Sequence, residues 1–206
     1  MKVIGLTGGI GMGKSACVLL LRDRGVPVVD TDDLAREVVQ PGQPALKEIE
    51  SVFGSQVLGP DGTLQRKELA QLVFKDPEAR RQLEEILHPK IRQLWRSRLQ
   101  AWSAQGHPLG VVVIPLLFET QAEKEMDQII CVACSSGTQR QRLSSRGWSA
   151  EQIEQRIQAQ LPVEKKMALS SYVIWTEAGM DLHAEQLDRI LTTCGVSSRR
   201  PSAVGD

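Results

Sequence analysis

Short runs of apolar residues, rich in valine and isoleucine, alternate along this chain with longer stretches whose apolar residues have a helical spacing. The runs lie at residues 2–6, 26–29, 110–117, 128–134 and 172–175. Strands that are apolar throughout are typical of a parallel sheet covered on both faces, with helices as crossover connections. The pattern therefore predicts an α/β fold in which a five-stranded parallel sheet lies between two layers of helices.

The connection at residues 31–106 is longer than a crossover needs, and its apolar spacing is largely helical. Asp76 followed by Pro77 predicts a helix start, because Asp is a good N-cap and Pro fits the first helical position. Pro89 predicts that a helix starts again there, since proline interrupts a helix that is already under way. We expect residues 31–106 to form a helical insert.

A second long connection, residues 135–171, is predicted to form a helical lid. Gly147 predicts the end of one short helix, and Ser149 with Gln152 three residues later predicts the capped start of another. Residues 195–206 have no periodicity and are expected to form a flexible tail. The remaining segments, 1–30, 107–134 and 172–194, form the predicted core.

The overall composition excludes two classes of function. Lys and Arg together number 25, as do Asp and Glu, so there is no global positive field for a nucleic-acid backbone. No run of about 18 apolar residues is present, which argues against a membrane span. The N-terminus begins with a strand pattern instead of a leader, so a cytoplasmic protein is expected.

Two cysteines, Cys131 and Cys134, have a CxxC spacing that could indicate metal or redox chemistry. They lie, however, in an apolar run with the pattern of a strand. A spacing of three on a strand directs the two side chains to opposite faces. We therefore expect buried thiols of the core.

The segment from Gly8 to Ser15, GGIGMGKS, matches the P-loop pattern GxxxxGK[ST] and lies between a predicted strand and a predicted helix. Glycines let backbone N–H groups turn toward phosphate oxygens, and the helix N-terminus adds its dipole. Lys14 would contact the β- and γ-phosphates, and the Ser15 hydroxyl would bind Mg²⁺. This motif predicts binding of a nucleoside triphosphate.

Two acidic residues, Asp30 and Asp32, follow the second predicted strand, at the edge of the sheet where ligands of α/β proteins bind. One carboxylate could serve Mg²⁺ through water while the other accepts the proton of an attacking hydroxyl. Strand alternation would place both on one side. The structural alternative is that Asp32 or Asp33 caps the helix that begins near Leu34.

Three arginines, Arg140, Arg142 and Arg146, lie where a kinase lid would close over a triphosphate. Arginine can spread transition-state charge through its N–H donors. The alternative for each is an exposed helix face. No NKxD-type guanine motif follows the later strands, which argues against a GTPase.

Six segments occur in an order that resembles the bacterial dephospho-coenzyme A kinase family of the P-loop kinase superfamily, across residues 4–179. They are IGLTGGIGMGKS from Ile4, DTDDLAR from Asp30, LHPKIR from Leu87, PLLFE from Pro115, QRQRL from Gln139 and RIQAQ from Arg156. The resemblance implies a P-loop fold with a helical acceptor-binding insert and a lid. It also implies transfer of the ATP γ-phosphoryl group to the ribose 3′-hydroxyl of dephospho-coenzyme A.

The resemblance also implies roles for individual residues. The catalytic residues would be Asp32 as the base, with Lys14 and Arg140 on the phosphates. ATP would be bound by Gly8, Gly9, Gly11, Met12, Gly13, Lys14, Ser15, Ala16, Arg142 and Thr176. The acceptor would be bound by Asp32, Arg36, His88, Arg92 and Leu117, and Mg²⁺ by Ser15 and, through water, Asp30.

The chain departs from the family pattern in two places. Near the adenine, relatives usually carry Ala-Asp-x-Val-Ile and then an Asn, where this chain has SSYVI from Ser170 and then Trp175 and Thr176. Relatives also commonly carry Thr where this chain has Ala16. Two other functions remain open: another small-molecule P-loop kinase, of the nucleoside or shikimate type, and a nucleotide-binding regulator without catalysis. The insert favours a large acceptor, and the intact residues Lys14, Ser15, Asp32 and Arg140 favour catalysis.

Overall fold

Five strands form one sheet in a computed structural model that describes residues 1–196. The strands are β1 (Lys2–Thr7), β2 (Val28–Asp30), β3 (Leu109–Val113), β4 (Gln128–Ala133) and β5 (Tyr172–Trp175). Their order in the sheet is β2-β3-β1-β4-β5. The central strand β1 pairs in parallel with β3 and β4, and β4 pairs in parallel with β5. The predicted α/β fold with a five-stranded parallel sheet is confirmed.

By its internal contacts the chain divides into two compact units, residues 1–28 with the described residues from 101 onward, and residues 29–100. We call them the first and the second unit. The helices are α1 (Lys14–Asp23), α2 (Thr31–Glu37), α3 (Pro44–Phe53), α4 (Arg66–Lys75), α5 (Pro77–Ala104), α6 (Ser136–Ser144), α7 (Ala150–Gln158), α8 (Val163–Ala168) and α9 (Met180–Thr193). The predicted division at 31–106 and 135–171 into insert and lid stays a prediction.

The core of the first unit is built on the two central strands. Ile4 and Leu6 of β1 and Ile130 of β4 are fully buried, and they pack with Leu21 of α1 and Leu187 of α9 in one hydrophobic cluster. Burying side chains of this size contributes about 1.5–3 kcal/mol each. The cluster therefore holds the carboxyl end of β1, where the P-loop begins, on a rigid support.

The third strand is shorter than predicted, and it ends at Val113 instead of residue 117. The amide of Ile114 still donates to the Leu6 carbonyl over 2.9 Å, but Pro115 has no N–H with which to continue the ladder. Residues 115–117 therefore turn away from the sheet. The thiols of Cys131 and Cys134 are buried and free, as expected.

In the second unit Pro89 does not start a new helix. Helix α5 runs without interruption for 28 residues, with Pro89 inside it. Apolar side chains on both sides of Pro89, including Leu83, Leu87 and Ile91, pack on one cluster with Ile49 and Phe53 of α3. This continuous stripe stabilises the helix across the proline, so the prediction of a restart is wrong. The helix does begin at Pro77, and the Asp76 carboxylate accepts the Glu78 amide over 2.9 Å.

The predicted pair of helices after β4 is confirmed. Helix α6 ends before Gly147, whose φ is +83°. Helix α7 starts with the capping box of Ser149 and Gln152. Helix α8 was not predicted. Most of the predicted tail, residues 197–206, lies outside the described residues. Within residues 1–196, none of the helices combines the length and hydrophobicity that crossing a membrane requires.

Candidate active site

The P-loop connects β1 to α1 through backbone conformations that only glycine adopts without strain. Gly8 has a φ of +144°, and a Cβ atom there would lie 2.2 Å from the Val132 carbonyl oxygen. Gly13 is the N-cap of α1, in the left-handed region with a φ of +99°. These glycines allow the chain to turn closely over β4 and to lead directly into the N-terminus of α1, where backbone N–H groups and the helix dipole favour an anion.

Lys14 is the first residue of α1, and its ammonium group bends back over the loop. Its Nζ donates to the carbonyl oxygens of Gly8, at 2.6 Å, and Gly9, at 3.0 Å. The Ser15 side chain is exposed in the first turn of the same helix. A positive charge and a hydroxyl therefore flank the loop, as the motif predicted.

The P-loop opens onto a cavity of about 480 Å³ within the first unit. The cavity is lined by residues 10–16 and 178–180, and by Arg142, Arg146, Thr176 and His183. Arg142 and Thr176, which are far apart in the sequence, are thus brought to the same cavity as Lys14 and Ser15. A site of this size, with cations and loop amides, suits a nucleotide.

Thr176 connects three parts of this cavity. Its buried hydroxyl donates to the Met12 carbonyl over 2.9 Å and accepts from Nη1 of Arg142 over 2.9 Å. Arg142 Nη2 also donates to the Thr176 carbonyl over 2.5 Å. The bond to Met12 holds the P-loop, and the bonds from Arg142 fix the guanidinium. Thr176 therefore stabilises the positions of Arg142 and the P-loop. Its predicted contact with the adenine of ATP stays a prediction.

Thr176→Val is expected to lower the free energy of unfolding by about 1–3 kcal/mol, because the variant leaves the buried Met12 carbonyl without this donor. Denaturant unfolding would measure the loss. Thr192→Val is the matched control, since the exposed Thr192 hydroxyl donates only to Asp188 one turn earlier. Equal stability of the two variants would contradict the bridging role.

Arg140 lines a second cavity of about 510 Å³, which also includes Gly9 and Met12 of the P-loop. It does not line the cavity of Lys14 and Ser15. Its Nε donates to the Glu154 carboxylate of α7 over 2.7 Å, and both side chains are about half exposed. This bond uses only Nε of the guanidinium, and the assigned role of Arg140 on the phosphates stays a prediction.

The acidic segment, residues 30–33, lies near the start of the second unit and is helical from Thr31 onward. Asp30 ends β2 and is the N-cap of α2, where its carboxylate accepts the Asp32 amide over 2.9 Å. Asp32 and Asp33 lie in the first turn, and both are exposed. The expectation that Asp30 and Asp32 share a strand face is wrong, because the chain is helical from Thr31. The alternative of a cap by Asp32 or Asp33 is wrong too, since Asp30 has that place.

The proposed acceptor residues of the second unit lie on two helices. Arg36 is exposed near the end of α2, with its guanidinium 3.5 Å from Asp33. His88 is exposed and Arg92 is half-buried, one turn apart on α5. All three side chains are polar and reach the surface of this unit, which is compatible with a binding role.

Comparison with known proteins settles the family. The family model for dephospho-CoA kinase matches residues 2–181. This chain belongs to the dephospho-CoA kinase family. It is 46% identical over 206 residues to the dephospho-CoA kinase of Anaeromyxobacter dehalogenans, an alignment that covers 98% of each chain. It is 42% identical over 191 residues to that of Bdellovibrio bacteriovorus, covering 93% of this chain and 95% of the relative.

Solved structures agree with this assignment. A crystal structure of a Thermus thermophilus protein matches with a TM-score of 0.83 at 35% identity, over 93% of this chain and 96% of that one. Dephospho-CoA kinase from Campylobacter jejuni matches with a TM-score of 0.65 at 21% identity, over 94% and 97%. The second likeness supports the fold alone. The predicted family is confirmed.

Two residues of this dephospho-CoA kinase family member differ from the expectation. Leu117 was expected to touch the acceptor, but it is fully buried, and its Cδ1 occupies the space beside Gly5. This placement gives no support to an acceptor contact. His183 was not singled out by the sequence, although it lines the nucleotide-sized cavity. Burial, together with the positive charges of Arg142 and Arg24, lowers the pKa of His183, so this side chain is neutral at pH 7.

Proposed function

We propose that this chain transfers the γ-phosphoryl group of ATP to the ribose 3′-hydroxyl of dephospho-coenzyme A, giving coenzyme A and ADP. The observation that carries the proposal is the P-loop cradle, in which Lys14 and Ser15 open onto one cavity with Arg142. Membership of the dephospho-CoA kinase family across residues 2–181 supports the acceptor. We place the reaction in the cytoplasm, which cell fractionation would test.

Phosphate binding in this proposal rests on the P-loop amides and on Lys14. The Lys14 ammonium donates to the Gly8 and Gly9 carbonyls, and it exchanges these acceptors for phosphate oxygens when ATP binds. A fixed positive charge near the transferred phosphoryl group stabilises the charge that develops as the bond to ADP breaks. Arg142, already oriented by Thr176, adds a second cation beside the nucleotide.

The donor atoms present fit a magnesium ion. Mg²⁺ prefers oxygen ligands and needs few from the protein, because phosphates and waters complete its shell. The Ser15 hydroxyl lines the cavity, and the Asp30 carboxylate would take part through water. When bound, the ion neutralises charge on the β- and γ-phosphates. Clusters of three or more His, Cys, Asp or Glu suited to a metal do not occur among residues 1–196.

Asp32 is the proposed general base. Its carboxylate is exposed and is not the N-cap of α2, which leaves it able to meet an acceptor hydroxyl. It would accept the proton of the ribose 3′-hydroxyl as that oxygen attacks the γ-phosphorus. Arg36, His88 and Arg92 are the proposed contacts for the anionic, extended acceptor.

Product analysis tests the acceptor. The protein is incubated with Mg-ATP and, separately, dephospho-coenzyme A, a set of nucleosides and shikimate, and the products are identified by mass. We expect coenzyme A from the first acceptor and no comparable product from the others. Turnover of a nucleoside or shikimate alone would indicate another kinase of this fold, and ATP binding without any product would indicate a regulator.

Lid closure is expected when nucleotide binds. Amide hydrogen exchange in residues 135–160 should slow on addition of ATP and Mg²⁺, because α6 carries Arg142 at one side of the cavity. Exchange in α3, whose buried face lies within the second unit, serves as an internal reference. Unchanged exchange in residues 135–160 with ATP demonstrably bound would contradict a lid that responds to nucleotide.

A further inference from the structure

Lys166 of α8 has an environment that its place in the sequence does not suggest. The side chain is completely buried, and its Nζ lies 2.9 Å from the Glu119 carboxylate and donates to the Pro115 carbonyl over 2.7 Å. The neighbouring residues of α8 are all at least partly exposed, including the adjacent Lys165. Burying an ammonium group costs several kcal/mol unless it is paired and hydrogen-bonded.

A pair of this kind is weak evidence for stability. Replacing both charged partners with apolar side chains of similar volume is often neutral or stabilising, whereas removing one partner leaves an uncompensated charge. We therefore ask which parts of the chain the hydrogen bonds of this pair hold in place. The pair binds two backbone groups, the Leu161 amide and the Pro115 carbonyl, and each is connected to the P-loop.

The carboxylate side of the pair leads to the tip of the P-loop. Glu119 Oε1 also accepts the Leu161 amide over 2.7 Å. The neighbouring side chain of Gln160 accepts the Ile10 amide over 3.1 Å, while Gln139 donates to the Ile10 carbonyl over 2.8 Å. The N–H and the carbonyl of Ile10 are thus each held by a glutamine. The Glu119 carboxylate fixes the position of Gln160, because it binds the amide of the next residue, Leu161.

The ammonium side of the pair leads to the base of the P-loop. The Pro115 carbonyl that accepts from Lys166 also accepts the Thr7 hydroxyl over 3.2 Å. Thr7 is buried and directly precedes Gly8. Partial burial by itself raises the pKa of Glu119, but the hydrogen bonds from Lys166 and the Leu161 amide outweigh it and lower the pKa. Glu119 is therefore ionised at neutral pH.

We propose that Lys166 and Glu119 are positioning residues that hold the P-loop in its phosphate-binding conformation, through Leu161 and Gln160 at its tip and through Pro115 and Thr7 at its base. Neither residue lines the cavity beside Lys14 and Ser15. Misplacement of reacting groups by about 1 Å can cost about 100-fold in rate, so loss of the pair should weaken ATP use in a protein that remains folded. This inference rests on the proposed function only in that the bound nucleotide is ATP.

The test compares two double variants and two single ones. Glu119→Leu with Lys166→Met removes the charges and the acceptor for Leu161, whereas Glu119→Gln with Lys166→Met removes the charges but keeps an acceptor. Gln160→Leu removes the bond to Ile10 directly. Gln155→Leu, on the exposed face of α7 and bonded to Glu151, is the matched control.

We call the double variants Leu/Met and Gln/Met, after the residues that replace Glu119 and Lys166. The Leu/Met variant is expected to bind an ATP analogue about tenfold or more weakly and to exchange the amides of residues 8–15 faster. The Gln/Met variant should recover most of the affinity and of the protection from exchange. Gln160→Leu should reproduce the loss and Gln155→Leu should not. The KM for dephospho-coenzyme A should stay within about twofold, since the pair acts on the P-loop. ATP affinity and exchange unchanged in a folded Leu/Met variant would overturn the proposal; if that variant does not fold, unchanged ATP affinity in Gln160→Leu would do so.

Both readouts are independent of the acceptor. A wild-type protein that binds ATP but does not phosphorylate dephospho-coenzyme A would overturn the proposed function alone. The affinity and exchange results would still decide the role of Lys166 and Glu119.

Discussion

Asp32→Asn is expected to lower kcat by about two to four orders of magnitude while the affinity for ATP stays nearly unchanged, because loss of a general base ordinarily costs that much. Asn has the size of Asp but lacks the charge that accepts a proton. The N-cap of α2 is Asp30, so the substitution leaves the cap in place. Single-turnover phosphoryl transfer and nucleotide titration on one preparation measure the two quantities.

Asp33→Asn is the matched control for Asp32. Both residues lie in the first turn of α2, and both are exposed, so the helix loses a similar favourable charge in each variant. The control should keep kcat within about threefold of wild type. Near wild-type kcat in Asp32→Asn would instead direct the search for the base to Asp30 or Asp33, and a collapse of ATP binding would place Asp32 in the Mg²⁺ shell.

Lys14→Met should reduce kcat/KM for ATP by at least about two orders of magnitude, because the variant keeps the glycine cradle but removes the positive charge at the transferred phosphoryl group. The loss of two hydrogen bonds to the Gly8 and Gly9 carbonyls should lower the free energy of unfolding by about 1–3 kcal/mol. The core beneath the loop does not include Lys14, so the fold should survive. Steady-state kinetics and denaturant unfolding measure the two effects.

The control for Lys14 is Lys124→Met, which removes an equal charge at an exposed site, where Lys124 hydrogen-bonds Gln121 over 2.8 Å. This variant should keep wild-type kinetics. A Lys14→Met protein with rates within about threefold of wild type would contradict the role of Lys14 in phosphoryl transfer.

Local sequence was sufficient where the determining interactions are local. The P-loop was predicted because glycines at Gly8 and Gly13, followed by Lys14 and Ser15, impose a backbone conformation and a charge within a few residues. The capping box of Ser149 and Gln152 formed for the same reason. Five apolar runs predicted the five strands. In β3 and β4 burial on both faces explains the continuous apolar pattern, whereas β5 is apolar although two of its four residues are exposed.

The sequence pattern failed at two places. Pro89 favours a helix break, but the apolar stripe on both sides of it packs on one cluster and stabilises a single helix. At Asp30 the prediction extended strand alternation to Asp32 and so assigned both residues to one face, whereas the helix α2 already begins at Thr31. The error at Pro89 arises because short-range rules do not include the tertiary packing of the apolar stripe. The error at Asp30 has a local cause, because the Asp30 carboxylate caps α2 by accepting the Asp32 amide.

The sequence by itself determined the fold class, the phosphate loop and the family of this protein, because each is encoded by residues close together or by motifs in order. Only the tertiary structure decided that Thr176 supports Arg142 and the P-loop, that Arg140 lines a different cavity, and that Lys166 is buried beside Glu119. These contacts join residues tens of positions apart. A charged or polar side chain has the same appearance in a sequence whether it faces water or a buried partner, and the folded chain alone brings that partner to it.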